Sequence, residues 1–207
     1  MLKHRNLKIL QQQPTTPADD SRGIAYAYKA SLIGAAQQFE LTDEGLSFRF
    51  AGRSGLWRYT DIAAIRLSYR PVSMQSRRFR ADIQHVDGGR LVILSTSWQT
   101  AALMAPQDGD YRAFIIELHR RMANAGSKAG LTGGLGRGTY AAAIVLLAFL
   151  GIGMAGLLVR AIATGQFAGV LFLLGFAALF GWQIGGFIRR NRPVSYKFDN
   201  IPEALLP

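Results

Sequence analysis

Two long apolar runs decide what this chain can fold into. Tyr140–Val159 is twenty residues without a formal charge, and Gly165–Ile188 is twenty-four more, with Gln166 and Gln183 as its strongly polar side chains. About 20 apolar residues in a helix cross a hydrocarbon core roughly 30 Å thick. Both runs are apolar on every side and leave no face for water, which disfavours a pair of core helices in a soluble protein. The sequence therefore predicts two transmembrane helices, at about 140–159 and 166–188, joined by the short link Arg160–Thr164.

The flanking charges give an orientation. Arg120, Arg121, Lys128 and Arg137 precede the first run; Arg189, Arg190, Arg192 and Lys197 follow the second; the link carries Arg160 alone. Lys and Arg near spans lie predominantly on the cytoplasmic side. Both termini are thus expected in the cytoplasm and the link outside. The opening MLKHRNLKIL is too short and too charged for the apolar core of a signal peptide, so the first span is expected to direct insertion. The chain has no cysteine, which fits a reducing compartment and removes thiolate and disulfide chemistry.

Ahead of the spans the pattern changes. Residues 1–22 are polar and proline-interrupted and read as a flexible leader. In 46–50, Leu46, Phe48 and Phe50 alternate with Ser47 and Arg49, the period of a half-buried strand. Ile65, Leu67 and Tyr69 alternate with Arg66, Ser68 and Arg70 in the same way. Residues 78–86 and 90–98, separated by Asp87-Gly-Gly89, read as a hairpin. Tyr111, Phe114, Ile115, Leu118 and Met122 share one face of a helix that Asp108 or Asp110 is placed to cap and Gly126 to stop. The domain thus spans 23–126. A glycine-rich segment, 127–138, reads as a flexible linker into a membrane region at 139–188, and 189–207 as a cytoplasmic tail.

The stretches FELTDEGLSF (39–48), YTDIAAIRL (59–67), DGGRLVIL (87–94) and the helix YRAFIIELHRRM (111–122) together resemble a bacterial pleckstrin-homology-like domain. The whole chain is similar to a group of uncharacterised bacterial inner-membrane proteins with such a domain and two spans. The resemblance implies an α+β fold, a bent antiparallel sheet or barrel closed by one amphipathic helix and followed by the two-helix hairpin. It also implies a bacterial inner-membrane location.

Signals for chemistry are sparse. His4, His85 and His119 each stand alone in their segment, whereas metal sites usually show paired ligands at short spacing, so no metal or other cofactor is expected. The glycines of 130–138 lack the lysine-serine or lysine-threonine ending of a phosphate loop. The spans hold no acidic residue that would mark a proton or ion path. These features point away from an enzyme and a transporter.

The basic surface carries more. Residues 1–137 hold 19 Lys and Arg against 11 Asp and Glu. By strand alternation Arg66, Arg70, Arg78 and Arg80 point away from the core, and Arg77 lies in the joining loop, so the five are expected to form one cationic patch. Near an anionic leaflet each is worth about 1 kcal/mol. Tethering and the lack of interleaved exposed aromatics argue against nucleic acid. In the second span Gly181 and Gly185 form a G-x-x-x-G pair with Gln183 between them, suited to packing of the hairpin's own helices or, alternatively, to a homo-oligomer. The expected task is non-catalytic: a membrane-tethered binding or scaffold module for a protein partner or anionic lipid headgroups. The alternatives are an accessory or assembly subunit of a larger membrane complex and an enzyme with an unrecognised site.

Overall fold

The computed structural model describes residues 24–50, 52–71, 77–100 and 103–207. The expected leader and His4 lie outside them. The fold is α+β, with sheets in the N-terminal part and two long apolar helices toward the C-terminal end.

The first sheet is a contiguous antiparallel meander of β1 (Ile24–Tyr28), β2 (Gln37–Leu41), β3 (Leu46–Phe50) and β4 (Arg53–Trp57). The expected alternation is visible in β3, where Leu46 and Phe48 are buried and Arg49 is exposed. The second sheet contains β5 (Ile62–Tyr69), β6 (Phe79–His85) and β7 (Arg90–Leu94), again an antiparallel meander. The Asp87-Gly-Gly89 turn closes β6 to β7, with the His85 amide donating to the Gly89 carbonyl at 2.8 Å. A short pair, β8 (Thr96–Thr100) and β9 (Leu103–Pro106), leads into helix α1 (Asp108–Asn124).

Helix α1 buries Tyr111, Phe114, Ile115, Leu118 and Met122 completely, the face its periodicity predicts. Against it pack Tyr26, with ring centroids 5.6 Å from Phe114 and 6.1 Å from Tyr111. Neither Asp108 nor Asp110 caps the helix. Gln107 occupies the N-cap position without a side-chain hydrogen bond, and both aspartates fall in the first turn, where their charge opposes the helix dipole favourably. The hydroxyls of Tyr26 and Tyr28 donate to the Leu94 and Val92 carbonyls at 2.6 Å, so the first sheet caps the open edge of β7.

The opposite edge of the second sheet departs from expectation. The glycine-rich segment is not a free linker: Gly130–Gly133 forms β10, parallel to β5, with Leu131 beside Ile65 and Gly133 beside Leu67. The tail is not free either, because Val194–Ser195 forms β11, antiparallel to β10. The sheet order is therefore β11-β10-β5-β6-β7. The glycines serve close approach here rather than flexibility. A Cβ on Gly133 would overlap the Leu205 side chain, and one on Gly134 (φ +78°) would overlap the Asn191 and Arg192 carbonyl oxygens. Leu131, Leu205 and Leu206 complete the hydrophobic core.

Between β10 and β11 the chain runs out through α2 (Arg137–Ala163) and back through α3 (Phe167–Arg190). Helix α2 is longer than the predicted run and α3 is shifted two residues toward the C-terminus, and Arg160 sits in the last turn of α2 instead of in the link. Both are long and apolar enough to cross a membrane, and neither buries any of its apolar stretch inside the protein. Large side chains such as Phe149 (69 % exposed) and Trp182 (83 %) face outward. A soluble pair would hide such residues; a pair in lipid has no need to.

Candidate functional site

The five arginines expected as one patch divide by what each one meets. Arg80 donates to both carboxylate oxygens of Asp82, at 2.9 and 2.6 Å, and Arg90 donates to one of them at 3.1 and 2.7 Å. Asp82 is 4 % exposed. Burial opposes its ionisation, yet the hydrogen bonds from Arg80 and Arg90 outweigh burial and hold its carboxyl below the ordinary range. Arg80 is thus largely neutralised, and alternation alone missed this because Asp82 shares its parity on β6. Arg77 lies 4.0 Å from Asp108 at the start of α1.

Arg78 donates from Nε to the Arg70 carbonyl at 3.3 Å, and the Arg70 amide donates to the Arg78 carbonyl at 2.7 Å. Burial lowers the Arg78 pKa, and the charges of Arg80 and Arg70 lower it further, which places three cations close together. Arg66 and Arg70 are exposed. Residues 72–76 of the joining loop lie outside the described residues.

Arg66 belongs to a second arrangement at the base of the helices. One of its guanidinium nitrogens lies 3.8 Å from the position a Cβ on Gly136 would take, directly before α2. At the base of α3, Asn191 is 0 % exposed. Its Oδ1 accepts from the Tyr69 amide at 3.1 Å, and its Nδ2 donates to the Tyr69 carbonyl at 2.8 Å. This pair of bonds docks the end of α3 on β5 as another strand would. The Arg190 guanidinium sits over the Tyr69 ring, 5.0 Å from its centroid. The Leu135 amide donates to the Asn191 carbonyl at 2.9 Å, joining the incoming and outgoing chains. Both ends of the hairpin are consequently built into the second sheet.

The tail is held further along. His119 on α1 donates from Nδ1 to the Ile115 carbonyl at 2.7 Å, which leaves Nε2 to accept from the Tyr196 hydroxyl at 3.0 Å. Burial pushes the His119 pKa down, and the Ile115 hydrogen bond only partly offsets this, so the ring is kept neutral. Arg112 donates to both Glu203 carboxylate oxygens at 2.8 and 2.9 Å. His85 has a different setting, 4.8 Å from the Trp57 ring and 3.3 Å from Asp87.

Within the hairpin the G-x-x-x-G pair does not bring the two helices together. A Cβ on Gly181 or Gly185 would meet nothing within 4 Å, and Gln183 is exposed. At the link the helices are close, a Cβ on Gly169 reaching that of Ala161 at 4.0 Å. Farther along, the helices part around an apolar cleft of about 260 Å³ lined by Gly151, Met154, Ala177 and Gly181, among others.

Comparison with family models, with curated proteins and with solved structures finds no match for this chain. Its function has to be argued from the site itself. Sequence reasoning located Arg66 and Arg70 but missed Asn191, Asp82 and the His119–Tyr196 contact. For Asn191 the available signal was an amide placed directly after the arginines that end the second apolar run.

Proposed function

We propose that the chain is a non-catalytic membrane protein whose soluble domain serves as a docking module held in fixed orientation at the membrane. A four-stranded meander, a three-stranded meander, a short strand pair and then one helix packed on the core support the reading of a pleckstrin-homology-like domain. The flanking cations support both termini on the cytoplasmic side, and the resemblance of the sequence to bacterial inner-membrane proteins supports an inner-membrane location. The observation that carries the proposal is the attachment of both hairpin ends to β5. It holds the exposed cations Arg66 and Arg70 beside the base of the spans. A flexible tether would let that surface tumble; a graft into the sheet keeps it turned toward an anionic leaflet or an acidic partner docked there.

The test is hydrogen–deuterium exchange on the full chain in nanodiscs of zwitterionic or anionic lipid. Protection of β5 and β6 should rise with anionic lipid and fall as salt is added. Protection independent of both, with no acidic companion co-migrating from native membranes, would sink the docking reading. A second reading, an accessory subunit that docks through its hairpin, is favoured by the unpacked Gly185. It predicts migration with a stoichiometric membrane companion that Gly185→Leu releases.

A further inference from the structure

We propose that the junction between β5 and the helix bases is a binding site for the phosphate of one anionic phospholipid, held by Arg66 and Arg190. The site rests on the docking reading above and names the ligand for one part of that surface.

The first support is a segregation of charge. No Asp or Glu occurs between Ile62 and Ala81, nor between Leu118 and Phe198. The fold brings these two carboxylate-free stretches together, through β10 on β5 and Asn191 on Tyr69. Arg66, Arg70, Arg137, Arg189, Arg190 and Arg192 lie within them, and among the described residues none of the six has a carboxylate within 4.0 Å. Within the same stretches Arg77, Arg80, Arg120 and Arg121 differ, each reaching a carboxylate that lies outside them: Asp108, Asp82, Glu117 and, for Arg121, Asp43 as well. Asp82, the Cα partner of Arg66 across β5 and β6, is already bonded to Arg80 and Arg90, so the junction arginines are left open to an external anion.

The second support is position. Arg66 reaches Gly136, directly before α2, and Arg190 is the last residue of α3. These guanidinium groups therefore sit where the apolar helices begin and end, which in a bilayer is the level of the phosphodiesters. An acidic protein segment would have to enter between sheet and bilayer to reach them. The third support is rigidity. Arg190 is stacked on Tyr69, and Tyr69 is clamped by Asn191, so part of the ordering cost of binding is already met. A planar guanidinium also pairs bidentately with phosphate oxygens.

The experiment is native mass spectrometry of the delipidated full chain in neutral detergent, titrated with phosphatidylglycerol or phosphatidylcholine. One phosphatidylglycerol should be retained per chain, preferred over phosphatidylcholine, and not displaced by millimolar inorganic phosphate. Arg66→Gln/Arg190→Gln should weaken retention about thirtyfold, and Arg66→Gln alone, at an exposed strand position that folding tolerates, about fivefold. Arg49→Gln/Arg53→Gln, on β3 and β4, should leave it unchanged. Equal retention of the two lipids, or equal loss in the β3–β4 variant, would overturn the site. Displacement by inorganic phosphate would assign it to a free anion, and displacement by a micromolar oligoglutamate peptide to an acidic protein. Loss of retention with the β5–β6 protection intact would remove the lipid site and leave the docking module standing.

Discussion

The two large sheets are built from chain in opposite ways. The first takes its four strands from one run, Ile24–Trp57, each pairing with its neighbour in sequence. The second collects Ile62–Leu94, then Gly130–Gly133, then Val194–Ser195, with the whole hairpin lying between the last two. The first can form as its residues meet locally. The second is incomplete until chain segments more than sixty residues apart have come together, and such non-local pairing has to overcome loop closure before any contact rewards it.

The sharpest way to break this contrast is to cut the chain after residue 126. The sequence alone presents 23–126 as a self-sufficient domain, but the structure places Leu131, Leu205 and Leu206 in its core. Buried leucines are worth about 2–5 kcal/mol each, against a total domain stability of about 5–15 kcal/mol. The truncated form should lose its cooperative thermal transition. A form that keeps residues 191–207 but replaces 138–189 with a short polar loop should retain it, because Leu135 and Asn191 already touch at 2.9 Å. A well-folded truncation would show that the second sheet is as local as the first.

Phe114→Ala comes next, at about 3–5 kcal/mol, since its fully buried ring packs on Tyr26. It should lower the melting temperature of the soluble part without changing which lipid is retained.

Asn191→Ala is more selective. It leaves the Tyr69 amide and carbonyl without their partners, at about 1–3 kcal/mol for each buried group left unsatisfied. Exchange should accelerate at Tyr69 and in β10 and stay unchanged in β1–β4. Acceleration spread evenly over both sheets would mean the junction is not a local clamp.

The pH response is smaller still. His119 is held neutral in the folded state, so its folded pKa lies below the unfolded value of about 6.5. Its contribution is fully present above that value and is lost as pH falls toward the folded pKa, with a slope of at most about 1.4 kcal/mol per unit. Chemical denaturation between pH 7 and 5 should show this loss, and His119→Gln should flatten it. The smallest effect belongs to the outer face: Arg66→Ala should stay within about 0.5 kcal/mol. Arg80→Ala should cost more, because it strips a partner from buried Asp82.

Legibility follows the same division. The alternation of Leu46, Ser47, Phe48 and Arg49 was enough to place β3, and the spacing of Tyr111, Phe114, Ile115, Leu118 and Met122 to place α1, because each pattern is complete within a few residues. The apolar length of the helices was equally plain. β10 was not legible: Gly-Leu-Thr-Gly has one large apolar residue, and its partner strand lies more than sixty residues earlier. Glycine is also ambiguous in sequence, since a close backbone approach and a loose linker call for the same residue. The basic face was half legible. Parity identified the side of the sheet on which Arg80 lies, but not that Asp82 and Arg90 would meet it there. The G-x-x-x-G spacing was plain too, yet spacing does not tell which surface those glycines face.

The placement of the hairpin inside the second sheet also sets an order of events during synthesis. β5 leaves the ribosome early with one edge open, and β10 can cover it before the spans are made. β11, Leu205 and Leu206 emerge about sixty residues after β10, a delay of roughly 3–12 s at the usual rate of translation. They reach the sheet only if α3 has returned to the side where α2 began. On the proposed membrane reading, completion of the sheet core therefore depends on both helices being inserted with matching polarity. A chain whose second helix fails to return keeps a notch in its core and an unpaired β10 edge open to pairing with another chain.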